Sequence, residues 1–371
     1  MKLLKFCLAA AALICLLLSS VDPVFAFDEQ EEYYYHGVVL AVEENSTPEN
    51  GLEQHVTVRL TSGPFKNEVV TILNYYQPER SVYDIRAQEG MRVILVTFDE
   101  GETLGEVFLH DLARDRGVYF LIGLFVVLLL AVGRLQGLKT LITLAATVFF
   151  VLLFLLPNLL KGYNPIILAV ITATLVVVFT LIVIAGLNFK ALAAIIGTIC
   201  GIFVAGLLAF WVGGISHLTG FSTHEAQMLY YLTDNNIDVR GLLFAGIIIG
   251  SLGAITDIGI SVASAAAEIK MANPAITCRE LVISAMNVGR DVLGTMSNTL
   301  ILAYVGAATP LLLLVTSYQN SWLKIINLDL IATEVVRGMA GSIGLVVAVP
   351  ITALLSGYFM GKKVNNTVKT R

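Results

Sequence analysis

Seven stretches of apolar residues dominate the later two-thirds of the chain, at about 118–133, 140–156, 165–186, 191–212, 241–266, 292–316 and 337–360. A helix crosses the hydrocarbon core with roughly 17–25 mostly apolar residues, because a bilayer offers its backbone groups no water. Each stretch therefore predicts a spanning helix. The first has only 16 residues, and Arg134 behind it lets it fit by reaching to the interface. Polar punctuation separates the rest. Lys139 and Pro157 bound the second stretch, Asn164-Pro165 opens the third, and Asn188 with Lys190 parts the third from the fourth. Short connections of this kind make sequential helices antiparallel neighbours.

Ahead of these stretches the period changes from helical to alternating. Residues 37–42, 55–60, 68–73 and 91–98 are rich in β-branched and aromatic residues, with Val56, Val58 and Leu60 recurring at every second position. Turn residues separate them, as in Ser62-Gly63-Pro64 and Gln77-Pro78. Residues 27–117 thus predict a small exported all-β domain of four or five strands, OB-like in shape. The first 26 residues read as a signal peptide or an uncleaved first helix: Lys2 and Lys5, an apolar run over 6–18, then Val24-Phe25-Ala26. Cys15 is not a lipidation site, since Ile14 stands where a small residue is needed. The predicted fold class is an all-α polytopic membrane bundle, residues 118–360, preceded by that β domain and followed by a basic cytoplasmic tail, 361–371.

Composition agrees with the pattern. Of 371 residues, 57% are hydrophobic and 14% charged, with a mean hydropathy of +0.81; a soluble domain carries about 25% charged residues. A soluble enzyme is excluded. Charge is divided unevenly, with 18 Asp/Glu against 7 Lys/Arg in residues 27–117. That acidity argues against a phosphate ligand, so no nucleic-acid partner is expected despite the OB-like pattern. Orientation follows from the Lys/Arg bias of short loops. With residues 27–117 outside, ten Lys/Arg of the spanning part fall on the cytoplasmic side, including Arg134, Lys190, Lys270 and Lys362, against four outside, Lys161, Arg240, Lys324 and Arg337. The localisation expected is a membrane, crossed several times, with residues 27–117 outside and the C-terminus cytoplasmic. Cys7, Cys15, Cys200 and Cys278 form no metal-like spacing, and the β domain has no cysteine.

Ionisable residues inside a spanning stretch cost at least ~2.5–3.5 kcal/mol, so they point to function. Asp257 stands about sixteen residues into the fifth stretch, among Gly250, Gly253, Gly259 and the hydroxyls of Ser251, Thr256, Ser261 and Ser264. On a helix, Asp257 shares a small, polar face with Gly250, Gly253, Ser261 and Ser264. The face suits a polar translocation path or a packing seam equally well. Thr256-Asp257-Ile258-Gly259 also has the look of an unwound, ion-coordinating break. A second constellation, Asn287, Arg290, Asp291, Thr295 and Asn298, enters the sixth stretch, with Thr299 continuing it inward. Elsewhere Gly197-x-x-x-Gly201 and Gly246-x-x-x-Gly250 read as packing seams.

Residues 250–264 (Gly-Ser-Leu-Gly-Ala-Ile-Thr-Asp-Ile-Gly-Ile-Ser-Val-Ala-Ser) and 287–306 (Asn-Val-Gly-Arg-Asp-Val-Leu-Gly-Thr-Met-Ser-Asn-Thr-Leu-Ile-Leu-Ala-Tyr-Val-Gly) resemble the YibE/F family of bacterial membrane proteins. The resemblance extends over about 118–360 and, more loosely, over the β domain. It implies the multi-pass topology and brings no substrate, cofactor or activity with it.

Other signals are weak. His217 and His224 share a loop with Glu225, but a seven-residue spacing is poor support for a metal. No nucleotide-binding, serine-hydrolase or zinc-protease motif occurs, and no internal repeat, so no cofactor is expected. Three classes of function stay open. Asp257 with its hydroxyl-lined surroundings favours a transporter or channel for a small solute or ion. The β domain and absent repeats favour a non-catalytic assembly or accessory protein, with a homo-oligomer or another membrane protein as partner. An intramembrane enzyme would need a pair such as Asp257 and Asp291, and no catalytic motif supports one. The lipid bilayer is the partner common to all three.

Overall fold

The structure, a computed structural model, describes residues 32–46, 51–77, 84–98, 105–233, 237–317 and 321–365, with side chains only to Gly361 in the last segment. The expected signal segment, residues 1–26, and the end of the expected basic tail lie outside these residues. The chain divides into two units between Val132 and Gly133.

The first unit is built on five strands: β1 (Tyr33–Ser46), β2 (Leu52–Leu60), β3 (Val69–Tyr76), β4 (Arg92–Thr97) and β5 (Val107–Leu112). They form one antiparallel sheet in the order β3-β2-β1-β4-β5. β1 serves twice: Tyr33–Val38 pairs with β4, while Gly37–Ser46 pairs with β2. A bulge at Leu40 breaks the register between Val39 and Ala41, which bends and twists the strand and curls the sheet into a half-barrel. Alternate residues fill its inside, among them Val39, Val56, Val58, Leu60, Val93 and Leu95. β5 escaped the sequence reading because its six residues run almost directly into charged Arg114-Asp115-Arg116.

Among the described residues, two polar side chains of this unit are fully buried, Gln54 and Thr97. Gln54 uses all its hydrogen-bonding capacity. Its Nε2 donates to Glu44 Oε1 at 2.7 Å and to the Ala87 carbonyl at 3.1 Å. Its Oε1 accepts from Asn74 Nδ2 at 2.8 Å and from the Ala87 N–H at 2.9 Å. The amide thereby fastens the segment before β4 to β1, β2 and β3. Arg86 donates to Glu44 as well, and this bond, followed by that from Gln54, holds the Glu44 carboxyl below its ordinary range.

The helical elements are α1 (Asp115–Phe149), a π-helical segment (Phe150–Leu155), α2 (Leu156–Leu160), α3 (Pro165–Ala185), α4 (Phe189–Ile215), α5 (His224–Leu232), α6 (Val239–Ala272), α7 (Cys278–Ala307), α8 (Thr309–Ser317), α9 (Trp322–Ile326) and α10 (Asp329–Asn365). Helix starts follow local chemistry. Asn164 caps α3 ahead of Pro165, Asn188 caps α4, and Asp238 caps α6 through the Gly241 N–H. Thr277 and Glu280 form a reciprocal capping box at α7.

Among the described residues, five helical segments are long and apolar enough to span a membrane: Asp115–Leu160, Pro165–Ala185, Phe189–Ile215, Val239–Ala272 and Asp329–Gly361. The α7–α8 pair, bent by 61°, makes a sixth if taken as one span. The count is therefore five or six where the apolar pattern predicted seven, because residues 118–133 and 140–156 fall in one helical run. That run is interrupted at Arg134, whose φ of 48° and ψ of −126° are not helical.

α6 sits at the centre of this unit, packed by α3, α4, α7 and α10. α10 in turn lies against α4, α6 and α7. The α4–α10 crossing is tight because its facing residues are small. A Cβ added at Gly201 would stand 2.7 Å from the Gly344 carbonyl oxygen and 2.9 Å from Ala348 Cβ. At Gly197 it would collide with the Thr352 hydroxyl, and at Gly259 with that of Thr198. Both hydroxyls are fully buried without an ordinary hydrogen-bond partner, so each rests against a glycine backbone where weak C–H···O contacts are available. The Gly197-x-x-x-Gly201 seam thus joins α4 to α10. Gly246-x-x-x-Gly250 does not act this way, since a Cβ at Gly246 would meet nothing within 4 Å.

This difference gives a direct test. Gly201→Ala should destabilise the purified protein by about 1–3 kcal/mol, the range for overpacking a tight contact. Gly246→Ala should leave it unchanged or slightly more stable. Thermal melts in one detergent would measure both, and equal effects would refute the seam.

Candidate functional site

The candidate site grows out of the way α6 is packed. Ile247, Ile248, Ile255, Ile258 and Val262 are completely buried against its neighbours. One strip escapes burial: Gly246, Gly250, Gly253, Asp257, Ser261 and Glu268 are exposed, and Ser264 is half-buried. These positions recur at steps of three and four, so they line one side of the helix. At a rise of about 1.5 Å per residue the strip runs about 33 Å, close to the hydrocarbon thickness of roughly 30 Å.

A cavity meets each end. At Gly246 a cavity of about 240 Å³ is lined by Thr223, Glu225, Leu243 and Arg337 among others. At Glu268 a cavity of about 1210 Å³ opens between the α3–α4 turn and the ends of α6 and α10. Asp257 lies midway and has no hydrogen-bond or ion-pair partner among the described residues. Beside the strip, the Tyr304 hydroxyl of α7 is buried against Gly250 and also lacks a partner. Arg337 pairs with Glu334 at 2.9 Å on α10. A smaller void of about 140 Å³ is lined by Tyr304 and Glu334.

The residues singled out from sequence divide into three groups. Asp257, Ser261 and Ser264 lie along the strip. Ser251 and Thr256 do not: both are buried and return their hydroxyls to their own helix, Ser251 to the Ile248 carbonyl at 3.0 Å and Thr256 to Leu252 at 2.7 Å. The third group, Asn287, Arg290, Asp291, Thr295 and Asn298, lies on α7 and is exposed, whereas Leu281, Ala285, Gly289 and Leu300 form its buried side. Arg290 donates to Asn287 Oδ1 at 3.3 Å, and Thr295 to the Val292 carbonyl at 2.9 Å. No ion pair joins Asp257 to Arg290 among the described residues. The expected unwinding at Thr256–Gly259 is absent, because α6 runs unbroken from Val239 to Ala272. The interruption falls at Ala308 instead, between α7 and α8.

His217 and His224 are both exposed, His217 lying two residues past the end of α4 with a φ of 50° and His224 opening α5. Among the described residues no three His, Cys, Asp or Glu side chains gather to hold a metal. At the N-terminus of α7, where the helix dipole favours a carboxylate, the Glu280 carboxyl accepts from the Thr277 N–H at 3.0 Å and from its hydroxyl at 2.8 Å. Sequence reasoning missed Tyr304, Glu334 and Arg337. Tyr304 looks like one more apolar-face residue, and only the fold brings it to Gly250.

The YibE/F-like protein family matches residues 121–362, well over half of the chain. The chain belongs to the YibE/F family. The match spans the helices that build the strip, and begins after the β strands. No curated protein and no solved structure matches this YibE/F-like chain. It is a membrane protein of several apolar helices in contact with lipid.

Accessibility of single cysteines tests the strip. In a background lacking native cysteines, Ser261→Cys should react with a small, membrane-permeant thiol reagent, while Ser251→Cys should stay protected. Equal reactivity would remove the distinction between the two sides of α6.

Proposed function

We propose that this YibE/F-like protein moves a small solute or ion across the bacterial cytoplasmic membrane along the strip of α6. The observation that carries the reading is continuity: small and polar positions run from one end cavity to the other with a single carboxylate between them. A bare carboxylate at such depth costs at least ~2.5–3.5 kcal/mol. Asp257 is therefore assigned the translocation chemistry, meeting a proton or a cation as it passes. Ser261 and Ser264 supply hydroxyls along the way, and Asn287, Arg290, Asp291, Thr295 and Asn298 make a second polar surface on α7.

Asp257→Asn keeps shape and hydrogen bonding while removing the titratable charge. In proteoliposomes it should insert normally and lose solute or proton flux, or lose its dependence on pH. Full flux across pH would sink the proposal.

The topology proposed has seven spans, with Asp115–Leu160 counted as two that meet at Arg134. A single span needs about 20 residues, and this segment has 46. Seven crossings put the β domain outside and the C-terminus in the cytoplasm, in keeping with the Lys/Arg bias. The β domain itself is OB-like in this reading, supported by the strand order β3-β2-β1-β4-β5 and by the approach of β3 to β5. Lys66→Cys in the β domain and Asn273→Cys in the α6–α7 turn should then label from opposite sides of the membrane. Labelling from one side would mean that Asp115–Leu160 crosses once.

A second reading rests on the strip facing out of the bundle. Small residues allow another helix to approach closely, so a second copy or another membrane protein could cover it. In that case Asp257→Asn is tolerated, and Gly253→Leu breaks the assembly.

A further inference from the structure

The cavity of about 1210 Å³ has walls of a particular kind. Leu187, Phe189, Leu192 and Met271 line it, and all four are exposed apolar side chains at the ends of spanning helices. Water on this surface would be costly at roughly 25 cal/mol for each Å² of apolar area. The charged lining is Lys190, Lys270 and Glu268, a net charge of +1.

Neither lysine is neutralised by the protein. Lys190 has no hydrogen-bond or ion-pair partner among the described residues. Lys270 Nζ donates once, to the Ile276 carbonyl at 2.8 Å, which leaves two of its three donors free. The N-terminus of α4, a helix of 27 residues, opens on the same cavity and adds its positive end.

We infer that this cavity binds an anionic phospholipid, its phosphodiester between Lys190 and Lys270 and an acyl chain along Leu187, Leu192 and Met271. The charge balances: one phosphodiester carries −1 against the lining's +1, and Glu268 accepts from headgroup hydroxyls such as those of a glycerol. A headgroup of zero net charge leaves the lining uncompensated. A free inorganic anion satisfies the lysines and leaves the apolar walls wet. Basic pockets between spanning helices at the membrane surface suit such headgroups, and lysine stems reach the interface while their apolar parts stay in lipid. The inference rests on this cavity alone and stands whether or not anything moves along α6.

The test uses the full-length protein, delipidated in a neutral detergent and supplied with phosphatidylglycerol, phosphatidylcholine or inorganic phosphate. Phosphatidylglycerol should remain bound in native mass spectrometry and raise the melting temperature, while the other two leave both unchanged. Lys190→Gln with Lys270→Gln should weaken phosphatidylglycerol binding by roughly tenfold or more, and the double Arg variant should keep it. Should the double Gln variant fail to fold, Lys190→Gln alone decides, since its side chain has no protein partner to lose. Unchanged affinity in that variant would overturn the inference. So would an equal response to phosphatidylcholine, a response to phosphate alone, or stabilisation that needs no lipid and tracks dimer formation.

Discussion

Three glycines, Gly197, Gly201 and Gly344, set how closely α4 and α10 approach, and the helical unit depends on that distance. Within a bilayer no hydrophobic force drives helices together, so association rests on packing. Small residues let backbones themselves make the contact. With α4 and α10 in register, Thr198 and Thr352 fit over glycine backbones and need no longer-range partner. The third wall of that seam is α6, held through Gly259 and Ile255. Its position therefore depends on the α4–α10 crossing as well as on its own Gly259 and Ile255.

Being held on several sides makes the open strip of α6 informative. Glycine in a helix interior costs about 1 kcal/mol relative to alanine. Where a glycine admits a neighbour, as Gly250 admits Tyr304, packing offsets that cost. Gly246 and Gly253 admit nothing within 4 Å. No contact within the described chain explains why those positions lack a side chain. In the proposed reading those positions leave room for something that comes to the strip from outside, whether solute, water, lipid or another helix.

Much of this was legible in the sequence, and the failures have a common cause. The apolar stretches mark helices because a bilayer enforces their length, and alternation at Val56, Val58 and Leu60 marks a strand because one side faces a core. Periodicity assigns a residue to a side of its own helix and cannot say what that side meets. Hence two glycine motifs of identical spacing differ: Gly197-x-x-x-Gly201 touches α10 at both glycines, while in Gly246-x-x-x-Gly250 only Gly250 has a neighbour, Tyr304 of α7. Ser251 and Thr256 were grouped with Asp257 by closeness in sequence, yet at about 100° per residue they point away from it. Tyr304 and Arg337 come from α7 and α10, far along the chain, so only the fold could bring them near the strip.

Asp257 stands eleven residues from Gly246 and eleven from Glu268, about 16 Å from either end of the strip. In a bilayer whose core is roughly 30 Å thick, that is the depth at which a bare charge is most expensive. A carboxylate kept only for packing would cost least near an interface, where water reaches it. The central position has the opposite property: the state of the carboxylate depends on whether a proton, a cation or water shares the strip with it. The two end cavities are unlike each other, one carrying Arg337 and Glu225 and the other Lys190, Lys270 and Glu268. Under the proposed function, a species reaching Asp257 would leave one chemical environment and enter another, an asymmetry that a passive seam between helices does not need.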